Sequence, residues 1–323
     1  MKTPRAGVGA LVVLAVGIGT LATAPPARAQ VKLEYKYPEG QTLTYKISTK
    51  MKQVLTLNGT EIPTDVDQTI VTSQAIGKRA ADSSLPIHEK IDSLKMELGL
   101  FGGNSVTFDS KDGKAEIDNP ELAFLGDVFK LACEATFTIV LDGQNKVKAI
   151  EGAEKLQEKA EKLDPKVRDA IRSGMSAEKL KTSFEQSHSN LPDVLARPGE
   201  PWERTEDMQG GGGNDLIFKR KYEYVGTEKK GDQTLDRIKF TTIEARIKED
   251  PNSQAPAKVT KSDLKVESSE GSLLFDREAG RIVESRDKVH LKGTMTLSAG
   301  GQEIAGEMDV HLETGRELQP EAK

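Results

Sequence analysis

Apolar residues recur at every second position over most of this chain, and a period of two restricts it to pleated strands with one face turned to a core. Leu33, Tyr35 and Tyr37 alternate with Glu34 and Lys36, and after Pro38-Glu39-Gly40 the spacing resumes at Leu43, Tyr45 and Ile47. A hairpin across that turn would pair Tyr35 with Tyr45 and Glu34 with Lys46, giving one aromatic and one charged face. Asn58-Gly59 is a strong hairpin signal, and strands are predicted over Gln68–Lys78, Ile87–Leu98 and Ser105–Phe108. Phe129, Leu131, Cys133, Ala135, Phe137, Ile139 and Leu141 read as one face of a further strand, turning at Asp142-Gly143 into Val147–Ile150. The pattern returns over Leu216–Thr227, Gln233–Lys248, Val259–Glu267, Ser272–Phe275 and Arg281–Ser285. Connections this short make the strands antiparallel.

The period changes at Gly152. Leu156, Ala160, Leu163, Val167, Ile171 and Met175 recur at intervals of three and four, which places them on one helical stripe. Asp164-Pro165 reads as an N-cap followed by proline at the first helical position, so the helix breaks and restarts there. Ser176 reads as the cap of a third piece carrying Leu180 and Phe184, and Pro192, Pro198 and Pro201 close the helical region.

The last hairpin resolves to single pairs. Val289, Leu291, Met295 and Leu297 face Ile304, Met308, Val310 and Leu312 across Gly300-Gly301, and a two-residue turn there pairs Leu291 with Val310 and Val289 with Leu312. The same register sets His290 opposite His311 on the polar face, beside Lys292 and Asp309. Two imidazoles can share zinc or copper, with Asp309 or Glu313 as a third ligand. Two nitrogens make an incomplete set, so solvated surface histidines are the expected reading, and no metal or cofactor is expected.

One turn occurs twice. FDSKDGK at Phe108–Lys114 and FDREAGR at Phe275–Arg281 lie 167 positions apart. Diverged duplication explains the recurrence, and so does shared turn chemistry, in which an Asp accepts turn amides and a Gly takes positive φ. Neither is a calcium loop, because Lys111 and Glu278, then Gly113 and Gly280, stand where ligands are needed.

Residues 1–29 read as an export signal: Lys2 and Arg5, an apolar run from Val8 to Leu21, then Ala27-Arg28-Ala29. The mature chain is expected to begin near Gln30, periplasmic or extracellular, with no transmembrane segment. Cleavage removes Lys2, Arg5 and Arg28 and no acid, taking the formal charge from −5 to −8. That excess opposes nucleic-acid binding. Cys133 is the sole cysteine, so an intrachain disulfide is excluded and the core must hold the fold.

Enzyme motifs fail on inspection. Ser176-Ala177-Glu178-Lys179 and Ser187-His188-Ser189-Asn190 imitate part of the penicillin-recognising signature, yet they are too close together and Lys-Thr-Gly is missing. Gly210–Gly213 lacks the Lys-Ser/Thr of a phosphate loop. Paired carboxylates for glycosidase work would need aromatic platforms, and aromatics are only 5% of the chain with Trp202 the single tryptophan. Cys133, on an apolar strand face, reads as a buried inert thiol. The chain is therefore expected to be no enzyme.

LEYKYPEGQTLTYKIS, TFTIVLDGQNKVKAIEG, LPDVLARPGEPW and GSLLFDREAG together resemble a family of uncharacterised exported bacterial β-rich proteins, and more distantly the half-barrels of periplasmic lipoprotein and lipid carriers. The expected fold is α+β and mainly antiparallel: two curved β lobes with a helical segment between them, half-barrel-like. The expected division is a signal peptide (1–29), a first lobe (30–151), a helical segment (152–190), a second lobe (191–318) and a disordered tail (319–323). The expected function is a non-catalytic envelope binding protein holding a lipid or other amphipathic ligand against Leu156, Leu163, Val167, Ile171 and Phe184. The alternative is a structural or protein-interaction component of the envelope, in which the helix fills the sheets and the acidic strands meet protein partners.

Overall fold

The computed structural model describes residues 30–209, 214–249 and 257–320; residues 1–29, where an export signal is expected, the Gly210–Gly213 run, residues 250–256 and the last three residues lie outside them. The fold is mainly antiparallel β with a few helices, built on one open, curved sheet of thirteen strands. In chain order these are β1 (Thr42–Leu57), β2 (Thr60–Ile76), β3 (Leu85–Gly99), β4 (Ser105–Asp109), β5 (Lys114–Ile117), β6 (Thr136–Leu141) and β7 (Val147–Glu151), then, after the helices, β8 (Trp202–Gln209), β9 (Asn214–Lys230), β10 (Gln233–Glu249), β11 (Ala257–Asp276), β12 (Arg281–Ala299) and β13 (Gln302–Leu318). The path runs β5-β4-β3-β2-β1-β13-β12-β11-β10-β9-β8. The strands before and after the helical segment thus join along β1 and β13. β3 forks: Leu85–Lys90 pair with β6, which pairs with β7, while Lys95–Gly99 pair with β4.

Local signals are realised where the turn decides the register. Asn58 and Gly59 take φ of 50° and 79°, and Leu57 pairs with Thr60. β12 and β13 pair as the alternation requires, Leu291 with Val310, Val289 with Leu312 and His290 with His311. Both FD turns close with the Gly amide donating to the Asp carbonyl, Gly113 to Asp109 and Gly280 to Asp276, but their Asp side chains bond different amides. Asp109 Oδ1 accepts from the Lys111 amide and Asp276 Oδ1 from the Ala279 amide, while Gly113 and Gly280 sit at φ of 63° and 65°. They differ in the strand each one opens: the first leads into the short edge strand β5, the second into the interior strand β12.

Two expectations are corrected. Tyr35 does not pair with Tyr45, nor Glu34 with Lys46, because both edges of β1 are taken by β2 and β13. The segment 31–39 runs over the apolar side of the sheet instead, burying Leu33 and setting Tyr35 edge-on to Phe275 with ring centroids 5.6 Å apart. The stretch from Phe129 to Ala135 is not strand. Phe124–Glu134 form helix α1, and only Thr136–Leu141 extend as β6. Phe124, Val128, Leu131 and Ala135 also fit a helical period, and that stripe packs on α2 (Ala153–Ala160) and α3 (Pro165–Gly174). Cys133 is therefore half-buried on a helix, and burial pushes its thiol pKa up.

The helical breaks lie where the caps require. Asp164 accepts from the Lys166 amide ahead of Pro165, and Ser176 Oγ accepts from the Lys179 amide at the start of α4 (Ala177–Ser187). No described helix is long and apolar enough to cross a membrane. Gln319 still bonds to the sheet, its amide donating to Thr44 O at 2.8 Å.

The apolar face is concave. Arg220 on β9 bonds Asp287 on β12, three strand steps away, and Lys230 on β9 bonds Glu284 on β12. Three steps span about 14 Å in a flat sheet, too far for side chains standing upright from it, so the sheet rolls toward that face. Phe218, Ala245, Val289, Leu291, Val310 and Leu312 line this hollow and are buried by its curvature.

Candidate functional site

Charged residues in the apolar phase of a strand are the exceptions that point to a site, because burying a charge costs on the order of several kcal/mol unless partners compensate. On β13 the inward positions read Met308, Val310, Leu312, Thr314, Arg316 and Leu318; on β3 they read Leu85, Ile87 and Glu89. Arg316 and Glu89 meet in a pocket of about 140 Å³ between the concave face and α4, with apolar walls from Ile47, Phe137, Ile139, Leu180 and Phe184. Thr72, Gln74, Ser183 and Ser187 add hydroxyl and amide groups.

α4 is held over the sheet by several ties. Phe184 is buried against Ile76, Ile87 and Ile139, and Lys179 Nζ lies 3.1 Å from Asp215 Oδ2 at the start of β9. The helix ends in an aromatic cluster. The His188 ring stacks on Phe184 at 4.2 Å and stands edge-on to Tyr35 at 4.6 Å, while its Nδ1 lies 2.8 Å from Phe184 O. Tyr35 donates its hydroxyl proton to Asn190 Oδ1 at 2.8 Å. Burial, reinforced by the Arg316 cation, holds the His188 pKa down to about 3, so the ring is neutral. Burial raises the pKa of the Tyr35 and Tyr37 phenols.

Arg316 is the cation of this cluster. Its guanidinium lies over the Tyr45 ring, 3.9 Å from the centroid, and its buried Nε has no hydrogen-bond partner among the described residues. No described carboxylate lies within ion-pair distance of it. Glu89 accepts from Gln74 Nε2 at 3.0 Å, and burial raises its pKa against the pull of Gln74 and Arg316. The pocket thus sets one fixed cation, Arg316, and one carboxyl group, Glu89, under apolar walls.

The residues named from sequence are dispersed. Phe184 lines the pocket. Leu156, Val167 and Ile171 are sealed with Leu131 and Ala135 in a separate small core among α1, α2 and α3, and Leu163 is 42% exposed. Sequence reading passed over Arg316 and Glu89, whose signal was their place in the apolar phase. Ser176 caps α4, and Lys179 bonds Asp215.

A wider cavity, about 510 Å³, opens at the far end of the sheet among Thr56, Asn58, Lys261, Asp263, Thr294 and Glu307. Its walls come mostly from the polar face, with Met295 and Ala305 adding apolar surface, and among the described residues no buried side-chain atom without a hydrogen-bond partner lies in it. On that polar face His290 and His311 stack with centroids 3.8 Å apart, and Asp309 lies between their Nε2 atoms at 2.8 and 3.5 Å.

Residues 82–280 match the profile of a family described as of unknown function (DUF6263). No curated protein matches the sequence. Among solved structures, one titled for lipid–protein interactions in lipovitellin is similar at 10% identity and a TM-score of 0.44, covering 89% of this chain. This chain spans 26% of the length of that lipovitellin chain. DynF from the dynemicin pathway of Micromonospora chersina is similar at 11% identity and a TM-score of 0.19, covering 97% of this chain and 94% of its own. The COG4313 outer membrane channel from Pseudomonas putida F1 is similar at 7% identity and a TM-score of 0.23, covering 88% and 98%.

Proposed function

We propose, for a chain that belongs to the family of unknown function DUF6263, that it is an exported, non-catalytic binding protein whose ligand is an anionic amphiphile held between the concave sheet face and α4. The single observation that carries this reading is Arg316: a guanidinium in the apolar phase of β13, beside an apolar-walled space, with no carboxylate partner among the described residues. Buried charges are ordinarily paired, and an unpaired cation facing a pocket fits a carboxylate or phosphate ligand, whose two oxygens match the guanidinium fork. Phe184, Leu180, Ile47 and Phe137 then take the first carbons of the chain. The pocket holds roughly five water volumes, at about 30 Å³ each, enough for a head group and a few methylenes. A longer chain requires α4 to lift. Export rests on Lys2, Arg5, the apolar run and Ala27-Arg28-Ala29.

One observation favours the alternative, a structural component: the α1, α2 and α3 core leaves Val167 and Ile171 at 0% and 1% exposure, filled as a plug would be. Titration calorimetry with laurate, on wild type and Arg316→Gln, separates the two. Saturable binding in wild type that weakens at least 10-fold in Arg316→Gln supports the carrier; no saturable binding, or equal binding by both, sinks it. Native mass spectrometry of protein purified from its own host then identifies the head group.

A further inference from the structure

Independently of the pocket, the geometry points to a second site: we infer that His290, Asp309 and His311 form a three-ligand site for a divalent transition metal on the polar face of β12 and β13. The placement comes from register. His290 and His311 are directly opposed, and Asp309 lies two residues from His311, hence on the same face. Counting from the two-residue turn, this is a non-hydrogen-bonded pair, the kind whose side chains approach most closely.

The donor atoms are already gathered. One atom from each residue lies within 4.8 Å of the other two. Ligands about 2.0–2.1 Å from a tetrahedral zinc lie about 3.4 Å from one another. The two imidazole Nε2 atoms stand 2.8 and 3.5 Å from Asp309 Oδ1, on either side of that value. The rings are stacked at 3.8 Å with 16° between their planes, so their nitrogens lie side by side and must splay by side-chain rotation to converge on one metal, while the strand register that opposes them is already set. Two imidazoles and one carboxylate suit zinc, copper(II) or nickel; magnesium and calcium take oxygen ligands. With three protein ligands, the fourth position is open to solvent or to a group on a partner.

The flanking charges set the competition. Lys292 Nζ lies 3.0 Å from Asp309 Oδ2, and Lys52 is the strand neighbour of His311 on β1. Metal binding replaces the contact between His290 Nε2 and Asp309 Oδ1, while Lys292 retains the outer carboxylate oxygen. The lysine both orients Asp309 and weakens its donation.

The test is titration of the purified metal-free protein with Zn²⁺, read by calorimetry and by the thermal midpoint. Wild type is expected to bind one Zn²⁺ per chain, with a midpoint that rises with metal concentration, because a ligand of the folded state stabilises it by mass action. His290→Ala, His311→Ala and Asp309→Asn should each weaken binding at least 10-fold with unchanged far-UV dichroism. Lys292→Gln should bind more tightly. Absence of saturable binding in wild type, or wild-type affinity in any of the three ligand variants, overturns the site. A Lys292→Gln protein that binds no more tightly places Asp309 outside the coordination and overturns the three-ligand assignment.

Discussion

The buried ion network that spans the hollow of the sheet makes an unequal prediction. Arg220 and Asp287 are 7% and 4% exposed, and they bond each other across β9 and β12. Arg220 Nη1 also donates to Glu206 Oε2 at 2.7 Å, and Tyr222 donates its hydroxyl to the other Glu206 oxygen. The guanidinium packs between Phe218 and Phe240, 5.2 and 5.1 Å from their centroids. One cation thus serves two carboxylates. Arg220→Met leaves both carboxylates buried and facing each other, and loss of the single partner of buried charge costs about 3–5 kcal/mol. Asp287→Asn keeps the remaining pair neutral in sum and retains an oxygen for Arg220, so its cost should be about 1 kcal/mol. Burial, with the Glu206 charge adding to it, raises the Asp287 pKa even beside Arg220, which already favours the neutral form.

Urea unfolding at pH 7.5 and pH 5 measures both variants. A carboxyl whose folded pKa exceeds its unfolded value contributes stability that is present at low pH and lost as pH rises through the folded value. Removing Arg220 takes away the cation that pulls the Asp287 value down and so raises it further, and the Arg220→Met deficit should shrink at pH 5. An Asp287→Asn variant that loses as much as Arg220→Met, or an Arg220→Met deficit that grows on acidification, refutes the one-cation, two-carboxylate account.

His188 should stay neutral in the folded protein down to about pH 3, as an imidazole NMR titration will show. Its unfolded value is about 6.5, so the folded state loses stability between pH 6.5 and 3, where only the unfolded chain takes the proton. His188→Phe should flatten that part of the stability curve; an unchanged slope assigns it to other groups. Gly293→Ala should destabilise by about 2 kcal/mol or more, because its Cβ would lie 2.0 Å from the backbone oxygen of Asp263 and only separation of β11 from β12 relieves the contact. A thermal melt of Gly293→Ala within a degree of wild type would contradict that packing. Ile171→Ala should cost about 2–5 kcal/mol by leaving a cavity, yet laurate binding should survive, since Ile171 packs among α1, α2 and α3 away from the pocket. Loss of laurate binding in folded Ile171→Ala would tie the two regions together.

The candidate site was half legible. Phe184 is visible as part of a helical stripe, but periodicity alone presents that stripe as one surface. The breaks at Asp164 and Ser176 instead turn Leu156, Val167 and Ile171 toward α1 and leave Leu163 outside. Arg316, Glu89, Arg220 and Asp287 are each readable as a charge in an apolar phase, yet alternation cannot tell a charge facing a pocket from one facing a distant counter-ion. α1 escapes a strand-based reading because Phe124, Val128, Leu131 and Ala135 satisfy a helical period in the same stretch where alternate residues satisfy a strand.

By itself the chain's order of residues determined the antiparallel β character and the pairing at Asn58-Gly59 and Gly300-Gly301, because turn geometry and side-chain alternation act between near neighbours. Only the tertiary structure decided that β13 rather than the segment 31–39 takes the free edge of β1, that the sheet rolls, and that Arg316 faces α4. Those outcomes depend on competition among edges and charges far apart along the chain, which no local pattern encodes.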